Sequence, residues 1–200
     1  MPEGDTIYRI AEIMRRTLRD DPIVDARGRP GDAQPERLIG ARVTGVSTRG
    51  KHLLVDSDAG LTLHTHLGIT GTWHRYRPGE AWRLPAGEAV AVIETATAVA
   101  VCFGAPTVEL IETRALPLHP VLSRLGPDLL DEGCDMEETA RRLAGHGGSV
   151  AEALIDQRVV AGIGNVLRCE VLFAEQLDPF TPAGGLAPGR ASALLEAARE

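Results

Sequence analysis

The sequence predicts an α+β fold in two parts, a β-rich N-terminal half behind one long helix and then a helical half. Three observations carry this. Seven short runs between Ala41 and Thr113 follow a β pattern, with Gly, Pro and Asp clusters between them. After Arg114 these runs stop and helical spacing takes over. Of the 200 residues, 44% are hydrophobic, enough for a packed core.

The first helix begins near Asp5 or Thr6, either of which can cap it, and Ile7, Ile10, Ile13, Met14 and Leu18 recur at helical spacing. Asp20 to Pro35 is rich in Asp, Gly, Pro and Arg and reads as a loop. The β runs then follow as ARVTGVS, KHLLVDS, LTLHTHL, GTWHRY, AVAVIET, TAVAVCF and TVELIET. Their spacing of roughly 8–12 residues suits a sandwich or a barrel. LPLHPVLSRLGPDLL reads as a short helix and a linker, over 116–130, with Pro117, Pro120 and Pro127 as punctuation. Helical patterns follow at Met136–Leu143, Val150–Ile155, Val166–Glu175 and Arg190–Glu200. Strands followed by helices indicate two segregated parts, residues 1–115 and 131–200. The last pattern has no C-cap residue and reads as cut at Glu200.

Composition excludes several classes. No apolar run approaches the ~20 residues of a membrane span. The start, MPEGDTIYRI, is too polar and acidic for a secretory signal. Cys102, Cys134 and Cys169 have no CxxC spacing, which leaves no disulfide framework or thiolate zinc site and fits a reducing cytosol. Lysine and arginine total 21 against 28 acidic residues, a net charge of −7. Net acidity argues weakly against a polyanionic partner, but six of those carboxylates fall within Asp128–Glu138, so the net charge decides little.

Four segments can carry chemistry. In LIDQRVVAGIGNVLRCEVLF, Gly162 and Gly164 permit a tight turn and Asn165 opens the next helix. Free backbone N–H groups at that terminus would favour an anion such as a DNA phosphate; an ordinary helix-packing corner fits equally well. At the N-terminus, removal of Met1 would expose the secondary amine of Pro2. An α-amino group has a pKa of roughly 7.7–8.0, so it is partly unprotonated near neutrality. Its addition to an aldehyde carbon gives an iminium that stays cationic and draws electrons during elimination. Glu3 can protonate a ring oxygen or leaving group. Lys51, the only lysine, follows Gly50 at a strand start in TRGKHLL, where it can meet a phosphate or donate a proton. In HTHLGITGTW, His64 and His66 share one strand face, but no neighbouring carboxylate or cysteine completes a metal site, and none is expected. Ile69 in the same segment can wedge into a base stack.

Together MPEGDT, TRGKHLL, HLGITG, HPVLSRLGPDLL and LIDQRVVAGIGNVLRCEVLF resemble, in order and rough spacing, the formamidopyrimidine-DNA glycosylase and endonuclease VIII family. MPEG and TRGK resemble the endonuclease VIII branch, which removes oxidised pyrimidines. The resemblance implies a β-sandwich, a helix–two-turn–helix DNA-binding domain, and excision of a flipped base from damaged double-stranded DNA. It implies a monomeric, cytoplasmic, nucleoid-associated DNA glycosylase and abasic-site lyase without a membrane role. Pro2 then resembles the Schiff-base nucleophile, Glu3 the acid, and Lys51 a phosphate-binding proton donor. Glu170 resembles a carboxylate near the N-terminal amine. His66, Ile69, Arg124, Gly164 and Asn165 resemble DNA contacts. No cofactor is expected in these residues; the family's C-terminal finger, where zinc can bind, would follow Glu200. Two segments depart from the pattern. Thr6 stands where many members carry Glu, and Gly68, Ile69 and Thr70 replace the Gln-Leu-Tyr type of wedge, within an HLGxxG more like the purine-specific branch. The competing class is a protein that binds DNA damage without turning it over.

Overall fold

The computed structural model describes residues 2–18, 21–29 and 33–200. The chain forms two compact units, one of Pro2 with Thr6–His119 and the other of Glu3–Asp5 with Pro120–Glu200.

The first unit is a β-sandwich. Helix α1 spans Gly4–Thr17, and the strands are β1 (Ile23–Gly28), β2 (Val43–Arg49), β3 (His52–Ser57), β4 (Leu61–His66), β5 (Thr72–Tyr76), β6 (Ala89–Thr95), β7 (Val99–Phe103) and β8 (Thr107–Glu112). They make two antiparallel four-stranded sheets, ordered β1-β6-β7-β5 and β2-β3-β4-β8. One apolar cluster joins Ile7, Ala11 and Met14 of α1, and Leu18 just after it, with Leu53, Leu63, Ile93 and Ala100 of the strands. Burying each large aliphatic side chain there contributes about 1.5–3 kcal/mol. Alternation along β4 sends Leu61 and Leu63 into this core and His64 and His66 to the opposite face.

The structure corrects the sequence reading in three places. Helix α1 starts at Gly4, ahead of the expected caps, and Ile13 points outward at 53% exposure. Within the stretch read as a loop, Ile23–Gly28 is an edge strand paired with β6 and interrupted by a register shift near Ile23. Only its Ile23 and Ala26 are buried, too little alternation to stand out among Asp, Gly and Arg. In the stretch read as a short helix and a linker, Thr113–Leu118 and Leu122–Arg124 are two separate 3-10 turns, and Asp128 forms a parallel bridge with Ala161.

The second unit holds α2 (Met136–Ala144), α3 (Val150–Ile155), α4 (Asn165–Ala174) and α5 (Arg190–Arg199) around Leu143, Leu154, Val160, Leu194 and Leu195. Asp135 caps α2 by accepting from the Glu138 N–H, and Ser149 with Glu152 forms a capping box on α3. Part of the Asp128–Glu138 acidity is therefore structural, since Glu138 also pairs with Arg141 and Arg142. No helix among the described residues is long and apolar enough to cross a membrane.

Candidate active site

Helix α4 begins at Asn165, and its first N–H groups need acceptors. The acceptor is Glu3. Its carboxylate receives the N–H of Gly164 at 3.2 Å, of Val166 at 2.8 Å and of Leu167 at 3.0 Å. Glu3 is 5% exposed, so water cannot take over these bonds. A negative charge here also complements the positive end of the helix dipole. The expectation of free N–H groups facing a DNA phosphate at Gly164 is thus overturned. The chain's own carboxylate occupies that terminus, and the Gly164 amide is not available to a backbone phosphate.

This arrangement explains the glycine spacing. A Cβ on Gly164 would collide with the Glu3 carboxylate and lie 2.8 Å from Glu3 Cγ. Gly162 has φ of 101°, a left-handed conformation that glycine adopts without penalty. Its carbonyl accepts the Gly4 N–H at 2.9 Å, which ties the segment after Glu3 to the same turn. Gln157 braces the turn from inside. Its Nε2 donates to the Ile155 and Ile163 carbonyls at 2.9 Å each, and its Oε1 accepts from the Gly162 N–H at 3.0 Å. Sequence reasoning missed Gln157, because a lone Gln between helices carries no signature until its three backbone partners are known.

The remaining site residues fall in both units. In the first, Gly50 with φ of 58° and Lys51 form the two-residue turn between β2 and β3, so Lys51 sits at a hairpin tip rather than within a strand. The Lys51 charge reaches His66, whose pKa is lowered by burial first, then by His64 and Lys51. Ile69 is 74% exposed on the loop between β4 and β5. That loop is tight, with Leu67 buried and its carbonyl accepting the Gly71 N–H at 2.9 Å, so Ile69 projects from a firm base. We expect Ile69→Ala to leave the unfolding midpoint within about 1 °C, because an exposed side chain loses little on truncation. The same change should weaken binding to a flipped-base duplex several-fold, measured by titration against an undamaged duplex. Pro2 is half-buried and directly precedes Glu3; Met1, and with it the expectation of its removal, lies outside the described residues. In the second unit, Arg124 is exposed at the end of a 3-10 turn. Asn165 and Glu170 are exposed on α4, and neither side chain has a hydrogen-bonding partner among the described residues.

The outer face of the β2-β3-β4-β8 sheet carries a chain of imidazoles. His52 Nδ1 meets His64 Nε2 at 2.8 Å, His64 Nδ1 meets Glu109 Oε2 at 2.8 Å, and His119 Nε2 meets the same oxygen at 3.0 Å. The His52 ring also lies 4.7 Å from that of His66. The reading that no carboxylate stands near the His64 and His66 pair is therefore corrected. Glu109 is directly across from His64 in the β4-β8 pairing, 45 residues away in sequence. Burial, then the neighbouring His66, His64 and His119, then Arg49, push His52 down to about 3. The unfolded chain takes up this proton near pH 6.5, so the stability His52 contributes is complete above pH 6.5. It is lost as pH falls toward 3, by about 1.4 kcal/mol per pH unit for one imidazole. Thermal unfolding at about pH 7.5 and about pH 5.5 should show this decline in the wild type and a shallower one in His52→Phe. Equal declines would remove His52 as its source.

Residues 1–106 match the model of the formamidopyrimidine-DNA glycosylase N-terminal domain, and residues 125–200 that of the formamidopyrimidine-DNA glycosylase H2TH domain. The chain belongs to the formamidopyrimidine-DNA glycosylase and endonuclease 8 family. A probable endonuclease 8 of Streptomyces coelicolor is 35% identical over 202 residues, covering 100% of this chain and 72% of that protein. An endonuclease 8 of Klebsiella pneumoniae is 34% identical, covering 98% of this chain and 76% of its own length. A formamidopyrimidine-DNA glycosylase of Cereibacter sphaeroides is 37% identical over 82% of this chain and 62% of itself. The fold is shared with the Lactococcus lactis family member solved with DNA containing an abasic site, at a TM-score of 0.85 and 20% identity, over 98% of this chain and 75% of that one.

Proposed function

We propose that this family member is a bifunctional DNA glycosylase and abasic-site lyase that excises oxidised bases, pyrimidines foremost, from duplex DNA during base excision repair. The observation that carries the reading is the Glu3 carboxylate locked onto the α4 terminus, because it fixes the residue next to the Pro2 amine. In the proposed reaction the Pro2 nitrogen attacks C1′ of the damaged nucleotide. The C1′–N bond to the base breaks and the base departs with a proton. Ring opening leaves an iminium between Pro2 and C1′. Loss of a C2′ proton then expels the 3′ phosphate, with the iminium as electron sink. A second elimination on the 5′ side completes the β,δ sequence. The Glu3 carboxylate takes up the proton that the Pro2 nitrogen loses on bonding to C1′ and returns it, as acid, to the ring oxygen or the base, and Glu170 assists near the amine. Lys51 holds the lesion phosphate and donates a proton, with His66, Arg124 and Asn165 as further backbone contacts. Ile69 fills the gap left by the flipped base. MPEG and TRGK support the pyrimidine preference.

Borohydride reduction during incubation with abasic-site duplex tests the reading, since only an amine-bearing lyase becomes covalently attached. Attachment is expected; a protein that binds the duplex tightly yet is never trapped would be a damage binder instead. At Lys51, charge alone does not reproduce proton transfer. We expect Lys51→Ala to lose about 100-fold or more in excision of an oxidised pyrimidine and Lys51→Arg about tenfold, as for a removed acid and a misplaced one. Pre-formed abasic sites should be cleaved with smaller losses. Near-wild-type excision by both variants would take Lys51 out of the site.

A further inference from the structure

The imidazole chain on the outer sheet face contains a set of groups that the glycosylase reading does not use. His64, Glu109 and His119 each offer one ligand atom, and these three atoms all lie within 4.8 Å of one another. They come from three separate places. His64 is on β4, Glu109 faces it on β8, and His119 follows the 3-10 turn Thr113–Leu118. We infer that His64 Nδ1, Glu109 Oε2 and His119 Nε2 form a binding site for one divalent transition-metal ion, with Zn²⁺ the best match.

The donor set, two imidazoles and one carboxylate, is one that Zn²⁺ accepts with bonds of about 2.0–2.2 Å and a water in the fourth position. Tetrahedral bonds of that length hold ligand atoms about 3.3–3.5 Å apart. The two bonded pairs here stand at 2.8 and 3.0 Å. Opening each by about half an ångström admits the ion. Glu109 can make that adjustment, since its side chain is 44% exposed while those of His64 and His119 are 2% and 10%. The same exposure supplies the entry path and the water position.

A partner for the second nitrogen of His64 is already in place. A metal-bound imidazole usually donates its other N–H to a fixed acceptor, which sets its tautomer. His52 Nδ1 lies 2.8 Å from His64 Nε2 and becomes that acceptor once both rings switch tautomer. In the metal-free form His64 donates from Nδ1 to Glu109 and accepts at Nε2 from His52. When the ion binds, the Nδ1 proton of His64 leaves to solvent, His52 passes its Nδ1 proton to His64 Nε2, and His52 takes one from solvent at its own Nε2, so each ring keeps one N–H. His119 binds the ion through Nε2 as the tautomer with its N–H on Nδ1. Zn²⁺ thus replaces the two N–H bonds to Glu109 without a net loss of protons from the rings. The ion would clamp β4 and β8 to the turn that ends at His119, the last residue of the sandwich unit.

The test is calorimetric titration of chelator-treated full chain with Zn²⁺, with Co²⁺ absorption reporting the coordination. One ion per chain is expected, with the intense visible bands of a four-coordinate nitrogen and oxygen site and a rise in unfolding midpoint. Glu109→Gln and His119→Ala should each weaken binding by about 100-fold or more. His52→Phe should weaken it about 10- to 100-fold, as loss of an orienting partner does. His146→Ala, in the other unit, should bind as the wild type does. Glu109→Gln changes an exposed group and keeps the fold, so its result is decisive even if His119→Ala is unstable. Absence of binding in the wild type, or undiminished binding in Glu109→Gln, would overturn the site.

Discussion

Pro2→Gly should reduce excision of an oxidised base by at least about 100-fold while duplex affinity stays within a few-fold. A glycine start keeps an α-amine but loses the ring that makes the amine secondary. The adduct then carries an N–H proton and can discharge to a neutral imine, which is a weaker electron sink than the fixed cation from proline. The new primary amine still forms some adduct, so activity falls without vanishing. Binding is spared because the proposed phosphate contacts lie elsewhere, at Lys51, Arg124 and Asn165. Single-turnover rates with an oxidised pyrimidine, beside equilibrium titration of an uncleavable abasic analogue, separate the two quantities. A parallel fall in rate and affinity would mean that Pro2 shapes the binding surface and is not the nucleophile.

Glu3→Ala should destabilise the helical unit by about 3 kcal/mol, more than most single changes do. It leaves the Gly164, Val166 and Leu167 N–H groups facing a space vacated by the carboxylate. For a unit of this size the unfolding midpoint should drop by roughly 10 °C or more. Gly164→Ala should be costly for the same reason, because its new Cβ lands on Glu3. The two effects must then be coupled. The nearest atoms to that Cβ all belong to the part of Glu3 that Ala removes, so Gly164→Ala should cost almost nothing in a Glu3→Ala background. Additive losses in the double mutant would show that the two residues do not meet.

Much of the fold is readable from local pattern. The seven β runs and four C-terminal helical segments recur in the structure because each has its own hydrophobic period and punctuation. Strand β1 is hidden because its stability comes from β6, more than sixty residues later, and only two of its side chains are buried. The site divides in the same way. The glycines, Asn165, Glu3 and Lys51 are visible as short segments. That Glu3 satisfies α4 is not, because the two are 161 residues apart and nothing near Glu3 names its partner. The spacing of Gly162 and Gly164 suggested room for an outside anion, whereas that room holds an internal carboxylate. Glu109 and His119 were invisible beside His64 for a related reason, since strand order decides who faces whom.

In the proposed reaction the N-terminal amine, not a lysine, forms the covalent link to DNA. Lys51 is the only lysine in the 200-residue sequence, so within it the N-terminal amine and the Lys51 amine fall on two separable peptides. The direct measurement is borohydride trapping on an abasic-site duplex, followed by proteolysis and mass mapping of the peptide that carries the sugar remnant. The account predicts the remnant on the N-terminal peptide, at the nitrogen of Pro2 in protein that lacks Met1. A remnant on the peptide containing Lys51, or equal trapping by protein that retains Met1, would contradict it.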